Sequence, residues 1–439
     1  MLTIAIVAVF VAGYACIALE SVIKVNKAAV ALLMFVACWA LLLMSPGIYF
    51  HGAEDALVQA EGAIVSNLGD TSTTLFFLMG AMTIVEVVDQ NGGFNFVRDA
   101  LRTTSKKRLL WRIALMTFFL SAILDNLTTS IVLIMVLRKL VANRDDRLMY
   151  DAAIVIAANS GGAFSPIGDV TTIMLWNGGM ITAVGAILHL LLPSLLSMVV
   201  PVLLFQFTLK GNLQQDAVML TESPVEQELT SWERKTVFVL GVGGLMFVPV
   251  FHSITDLPPF MGILFVLAML WVTTELFYAH LKARKGASHR VATLLSHIDM
   301  ATILFFLGIL MAVSCLKEIG VLAMLGQWLD SASGGNHYVV TGLIGIISSV
   351  VDNVPLVAGC MGMYPIAPTG DMAVDGIFWQ LLAYCAGVGG SMLIIGSAAG
   401  VVVMGLERIS FGWYFKHITP LALAGYLAGM LAYWLQHLV

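Results

Sequence analysis

The sequence predicts an all-α polytopic membrane protein made of two inverted-topology repeats, each with three spans, a re-entrant hairpin, a broken helix and a final span. Three observations predict this: a hydropathy too high for a soluble domain, basic residues that alternate along the chain, and three sequence matches at nearly one offset. Of 439 residues, 59% are hydrophobic and only 11% charged, with a mean hydropathy of +0.93, so the lipid bilayer is the expected solvent. The net charge of −5 is spread over loops, which leaves no nucleic-acid footprint.

Apolar runs of span length occur near 3–19, 28–44, 71–88, 183–209, 233–251, 260–280, 298–316 and 412–438. The first lacks a basic flank and a small-residue cleavage site, so a retained span is expected there. Cys16, Cys38, Cys315, Cys360 and Cys385 fall in apolar segments without metal spacing and read as small buried hydrophobes.

Lys and Arg gather at 24–27, 98–112, 138–147, 210–235, 282–290 and 408–416, whereas 45–70, 252–259 and 364–378 hold none. With both termini outside, the positive-inside rule puts every basic residue except Lys317 in the cytoplasm. Arg112 and Arg138 then share one side although only 25 residues lie between them, and two crossings need about 40. A re-entrant hairpin over about 109–141 is predicted, with Asp125 and Asn126 at its tip. A second, over about 337–366, carries SSVVDNVPLV and enters from the other face.

Ser121 to Asn126 matches Ser348 to Asn353 at an offset of 227 residues, and FFLMGAM (76–82) matches FFLGILM (305–311) at 229. Asn159-Ser-Gly161-Gly162 followed by Gly168 aligns at 228 with Gly387-Val-Gly389-Gly390 followed by Gly396. The chain therefore reads as repeat one (1–210), a polar cytoplasmic linker (211–232) and repeat two (233–439). Broken helices are expected at about 150–179 and 376–406, in the manner of secondary transporters. Two connectors, 52–68 outside and 281–297 inside, fit amphipathic surface helices.

Asp125, Asp169 and Asp352 are the carboxylates this topology places deepest, and charged groups at that depth usually mark ion or proton pathways. A helix-capping Asp would also satisfy the freed amides of a hairpin tip, but two Asp-Asn pairs at symmetric tips favour function. Around them lie Thr128, Thr129, Asn159, Ser160, Thr171 and Thr172, side-chain oxygens of the kind hard cations take. Gly161, Gly162, Pro166 and Gly168 stop the helix and free its backbone groups. Half two keeps Asp352 and Asn353, but its break offers Ser391 and Ser397 and no acid. It supplies an Asn and hydroxyls to one shared site or holds a degenerate one. His189 is expected as a hydrogen-bonded core histidine.

The paired hairpins and Gly-broken spans resemble the ion transporter superfamily. Within it, the Asp-Asn-Leu-Thr-Thr tip and the Asn-Ser-Gly-Gly-Ala-Phe-Ser-Pro-Ile-Gly-Asp-Val-Thr-Thr break resemble the NhaD-type Na⁺/H⁺ antiporters over essentially the whole chain. The resemblance implies a bacterial inner-membrane exchanger of Na⁺ or Li⁺ for H⁺, with no cofactor and no enzymatic activity. It puts functional weight on Asp125, Asn126, Asn159, Asp169, Thr171, Thr172 and Asn353, with Ser348, Ser391 and Ser397 carried over from the shorter second-half motifs. Na⁺ is expected at Asp125, Asn126, Asn159, Asp169 and Thr172, in competition with H⁺ at a shared carboxylate. Homodimers follow from family analogy alone.

The competing reading is a Na⁺-coupled symporter of an organic anion such as a dicarboxylate. It would want a cation or free helix N-termini facing its substrate, and no Lys or Arg is predicted near either tip. A protease reading finds no H-E-x-x-H or G-x-S-x-G, and a channel would be told by its conductance.

Overall fold

The computed structural model describes residues 2–18, 23–51, 55–93, 100–101, 103–141, 143–209, 211, 229–285, 295, 298–350 and 352–438. Most of the predicted linker, with Asp216, Glu222, Glu226 and Glu228, lies outside them, as does most of the expected inner surface helix at 281–297.

Among the described residues the elements are all helices. Helices α1 (Leu2–Ala18), α2 (Lys27–Leu43) and α3 (Ala56–Gln90) precede a short pair, α4 (Lys106–Ser121) and α5 (Asn126–Leu140). Then come α6 (Arg144–Phe164) and α7 (Val170–Asn177) on either side of a break, and α8 (Ala183–Thr208). After the linker the order recurs with α9 (Ser231–Thr255), α10 (Pro259–Lys285) and α11 (Met300–Glu318). An extra helix, α12 (Val321–Ser333), precedes the second short pair, α13 (His337–Ser348) and α14 (Asn353–Met363). The second break separates α15 (Ile377–Gly389) from α16 (Ala398–Glu407), and α17 (Phe411–His417) and α18 (Thr419–Gln436) close the chain.

Five of the described helices are long and apolar enough to cross a membrane, and α17 with α18, bent by 52°, makes a sixth. A helix satisfies its own backbone polar groups, which is what hydrocarbon demands, and the protein is a multi-pass membrane protein. The arms of the two short pairs are another matter: α13 and α14 rise only about 18 Å and 16 Å, against a hydrocarbon core of about 30 Å.

Two expectations change. Residues 56–68 are not a separate surface helix but run without a break into the following span as the 35-residue α3. Asp55 caps this helix on the Leu57 amide, and no proline interrupts it. The last span, expected to be continuous over 412–438, bends at Ile418, because Pro420 at the start of α18 has no amide to carry α17 onward.

At the centre the two broken helices pack together. Helix α15 is buried from Phe378 to Gly389, α6 is buried from Tyr150 to Phe164, and the two touch. Each also lies against the first arm of its own short pair, α6 on α4 and α15 on α13. Glycine makes both approaches possible. A Cβ at Gly161 would fall on the carbonyl oxygen of Phe118 in α4, and a Cβ at Gly389 on that of Gly345 in α13. The seryl hydroxyls repeat the arrangement, since Ser121 donates to the Ala158 carbonyl at 2.6 Å and Ser348 to the Ala386 carbonyl at 2.8 Å. Each short pair is thereby clamped to a break.

Candidate cation site

Four half-helices begin around these breaks, each with an oxygen-bearing side chain at its cap: Asp125 on α5, Asp169 on α7, Asp352 on α14 and Ser397 on α16. A helix N-terminus leaves amides unpaired and carries partial positive charge. Three of the four are therefore supplied with an acid from the chain itself.

Asp169 is the meeting point. It is 2% exposed, and its Oδ1 accepts the Thr171 amide and the Thr171 hydroxyl, both at 3.0 Å. Its Oδ2 accepts Asn126 Nδ2 at 3.0 Å. From the other half of the chain, Asn353 Nδ2 reaches both carboxylate oxygens at 3.3 Å. The asparagines at the two tips, 227 residues apart, thus converge on one acid.

Asn159 forms the second layer and is fully buried. Its Oδ1 accepts Asn126 Nδ2 at 3.1 Å, while its Nδ2 donates to Ser391 Oγ at 3.0 Å and Ser397 Oγ at 2.9 Å. Half two therefore brings an Asn and two hydroxyls to the cluster around Asp169 and Asn159. Tyr414, in α17, holds the Ser391 carbonyl at 2.9 Å.

The remaining sequence candidates sit around this centre. Asp125 accepts the Thr128 amide and hydroxyl, both at 2.7 Å, and so caps α5. Thr129 is fully buried and its Oγ1 has no hydrogen-bond partner; it lies one turn along α5 from Asn126, on the same face. Thr172 donates to the Asp169 carbonyl at 2.8 Å. Ser160 turns toward α8, where Ser197 donates to it at 2.8 Å.

Asp352 is paired with a cation from another element. Its Oδ2 is 3.7 Å from Lys27 Nζ, which also lies 4.5 Å above the Phe305 ring. This corrects the expectation that no Lys or Arg approaches either tip. Lys27 opens α2, and its long side chain reaches where its sequence position gave no hint. His189 is also not a core residue: it is exposed on α8, its ring 5.4 Å from that of His437.

Sequence reasoning missed Ser121, Ser165, Ser197 and Tyr414 as supports of the site. Ser121 was visible, being the repeat mate of Ser348. Ser165 lies within the break itself, and its hydroxyl donates to the Ala122 carbonyl next to the hairpin tip; Ser197 and Tyr414 reach the site from elements distant in sequence, and no spacing announces them.

A cavity of about 500 Å³ lies between α3 and α11 on one side and the ends of α7 and α14 on the other. Asn67, Asp70, Thr71 and Thr74 line it from one face of α3, and Lys317 and Asn177 are also at its wall. Both polar side-chain atoms of Asn177 are buried and without a partner. Helix α7, about 12 Å long, runs from Asp169 to this wall.

A family model described as a citrate transporter matches residues 14–383. The chain is 43% identical over 435 residues to Sodium/proton antiporter 1 of Arabidopsis thaliana, covering 99% of this chain and 72% of that protein. It is 31% identical to the Na(+)/H(+) antiporter NhaD of Alkalimonas amylolytica, over 98% of this chain and 90% of that one. Among solved structures it resembles the YdaH transporter of Alcanivorax borkumensis, with a TM-score of 0.62 at 17% identity over 92% of this chain and 97% of that one. At that identity the likeness is one of fold.

Proposed function

Since the chain belongs to the citrate transporter family and, within it, to the NhaD-type sodium/proton antiporters, we propose that it exchanges Na⁺, or Li⁺, for H⁺ across a membrane at Asp169. The observation that carries this reading is the convergence of Asn126 and Asn353 on Asp169. A carboxylate buried this deeply needs a neutralising proton or cation, and competition between the two is what exchange requires.

Two features support a cation at this place. The side chains bonded to Asp169 are uncharged and carry oxygens of the kind Na⁺ prefers, and Thr129 adds a buried hydroxyl with an unused lone pair. In the site as it stands, amide N–H groups surround the carboxylate. An arriving cation would displace them, and Asn126 and Asn353 would present Oδ1 after rotating their amides. A proton arriving instead would neutralise Asp169 and release the cation.

In this account the two halves are inverted-topology repeats. Helices α4 to α8 and α13 to α18 supply in each half the hairpin, broken helix and final span, and the shared offset near 228 residues supports common descent of the units. The short arms support re-entrant hairpins whose tips meet at mid-membrane. The distribution of basic residues supports a topology with both termini outside a bacterial inner membrane, and the 500 Å³ cavity is then the outward-facing approach to Asp169.

The family description and Lys27 give the organic-anion symporter a specific footing. Against it, Lys27 faces Asp352, and three of the four half-helix N-termini already carry an Asp from the chain. A substrate carboxylate would meet repulsion there. The test is collapse of a pH gradient in proteoliposomes on adding NaCl, LiCl, KCl or a sodium dicarboxylate. Alkalinisation of the acid interior by Na⁺ and Li⁺ alone is expected. Na⁺-dependent dicarboxylate uptake without proton movement would overturn the proposal.

A further inference from the structure

Asp151 is a buried acid that the exchange site does not use. It lies on α6, two turns before Asn159; it is fully buried, and neither carboxylate oxygen has a hydrogen-bond partner. Its electrostatic neighbours are Glu407, Arg147 and Arg138. Both guanidinium groups are committed elsewhere. Arg138 Nε pairs with Glu407 Oε1, and Arg147 Nε with Glu407 Oε2 at 2.9 Å. Arg138 also donates to the Leu406 carbonyl and Arg147 to that of Val141 at 3.0 Å. Arg144 reaches the carbonyls of Glu407 and Arg408 at 3.3 and 3.1 Å.

This network joins the ends of three helices. Arg138 belongs to α5, Arg147 and Asp151 to α6, and Glu407 to α16. The same helices carry Asn126, Asn159 and, at the cap of α16, Ser397. Ligands contributed by two halves of the chain are therefore fastened together, one helix length away, through a carboxylate that is 3% exposed.

We propose that Asp151 is a second proton-binding site, which holds the clasp of Arg138, Glu407 and Arg147 closed when protonated and loosens it when ionised. As a neutral acid Asp151 asks nothing of the guanidiniums, and Glu407 keeps both. When its O–H bond breaks and the proton passes to water, a second carboxylate competes with Glu407 for the same two cations. The ends of α5, α6 and α16 are then freed to shift. An ionised carboxylate buried without a partner is costly, so the group either stays protonated or recruits one of these arginines.

The other elements on α6 bring few rivals. Helix α4 adds Lys106, which is taken by Asp146 at 2.6 Å, as well as Lys107, Arg108 and Arg112. Tyr150 of α6 donates to the Lys106 carbonyl at 3.0 Å. The only titratable side chain of α8 is His189, beside His437. Helix α7 has none, and α15 offers Tyr384, bonded to the Tyr426 carbonyl, and Cys385.

Infrared difference spectra of the purified full chain, taken between about pH 6 and about pH 9, test the site directly. A carboxylic C=O band that titrates in the wild type and is missing from Asp151→Asn is expected; the same titration in both would overturn the proposal. The transport arm rests on the exchange reading. In proteoliposomes Asp151→Asn should lose at least about tenfold of the wild-type rate at alkaline pH while keeping its rate at neutral pH, and Asp151→Glu should restore the profile. A profile matching the wild type overturns the switch. Absence of exchange in the wild type at every pH overturns the exchange reading instead and leaves the infrared result to stand. Should Asp151→Asn fail to accumulate, Glu407→Gln releases both arginines, and the Asp151 band should then titrate at lower pH; an unmoved band also overturns the proposal.

Discussion

The break at 159–172 and the break at 387–400 have nearly the same backbone and different chemistry. Asp169 caps α7 with φ −141° and ψ 146°, and Ser397 caps α16 with φ −144° and ψ 154°. Both are followed by a short half-helix and preceded by glycines pressed against the first arm of a hairpin. Yet one break carries the buried acid, while the other carries only hydroxyls, which reach across to Asn159. The difference teaches that the scaffold is matched between halves while the charge is single. Two acids here would repel one another, whereas one acid can be shared by ligands from both sides.

The comparison makes chemistry asymmetric and scaffolding symmetric, and mutations can separate the two. The largest effect is expected from Asp169→Asn, which keeps the shape and removes the charge. Na⁺-driven collapse of a pH gradient should fall to the level of protein-free vesicles. Next come Asn126→Ala and Asn353→Ala. A hydrogen bond to a charged group contributes about 1.5–3 kcal/mol, so each should raise the apparent KM for Na⁺ about tenfold or more. Similar losses from the two would support a shared site, and loss from Asn126→Ala alone would confine the site to half one.

Gly161→Ala and Gly389→Ala test the matched scaffold. Each puts a methyl group on a carbonyl of the facing arm, and overpacking of this kind costs about 1–3 kcal/mol. Thermal unfolding in detergent should show similar falls in Tm for both. The smallest effect is expected from Ser397→Ala, which removes one neutral hydrogen bond to Asn159, worth about 0.5–1.5 kcal/mol. A rise of about threefold in KM is expected from transport at varied Na⁺. Abolition would mean that Ser397 is a principal ligand and that the halves are more equal than their charges.

Much of this arrangement was legible in the residues. Hydropathy located the spans, Pro166 and the glycines located the first break, and the repeat offset brought Asn353 and Ser397 into line with Asn126 and Asp169. What the sequence left open was reach. Nothing in the position of Lys27 shows that its amine meets Asp352, because a side chain of that length extends well beyond its own turn. Nor does spacing reveal that Asp125 spends its oxygens on Thr128 while Asp169 collects the asparagines. Capping and ion binding draw on the same residue types at helix starts, and only the three-dimensional partners separate them. The continuity of α3 was hidden for a related reason: polar Asn67 and Asp70 separate the 52–68 segment from the apolar run at 71–88, whereas both residues line a cavity.

Proton release on Na⁺ binding tests competition at Asp169 most directly. Titration calorimetry of the purified protein, repeated in buffers of different ionisation enthalpy, reads the protons displaced by each bound Na⁺. The account predicts that the wild type releases protons and binds Na⁺ more weakly as the pH falls, and that Asp169→Asn does neither. Na⁺ binding with no proton released at any pH, or release that survives in Asp169→Asn, would contradict it.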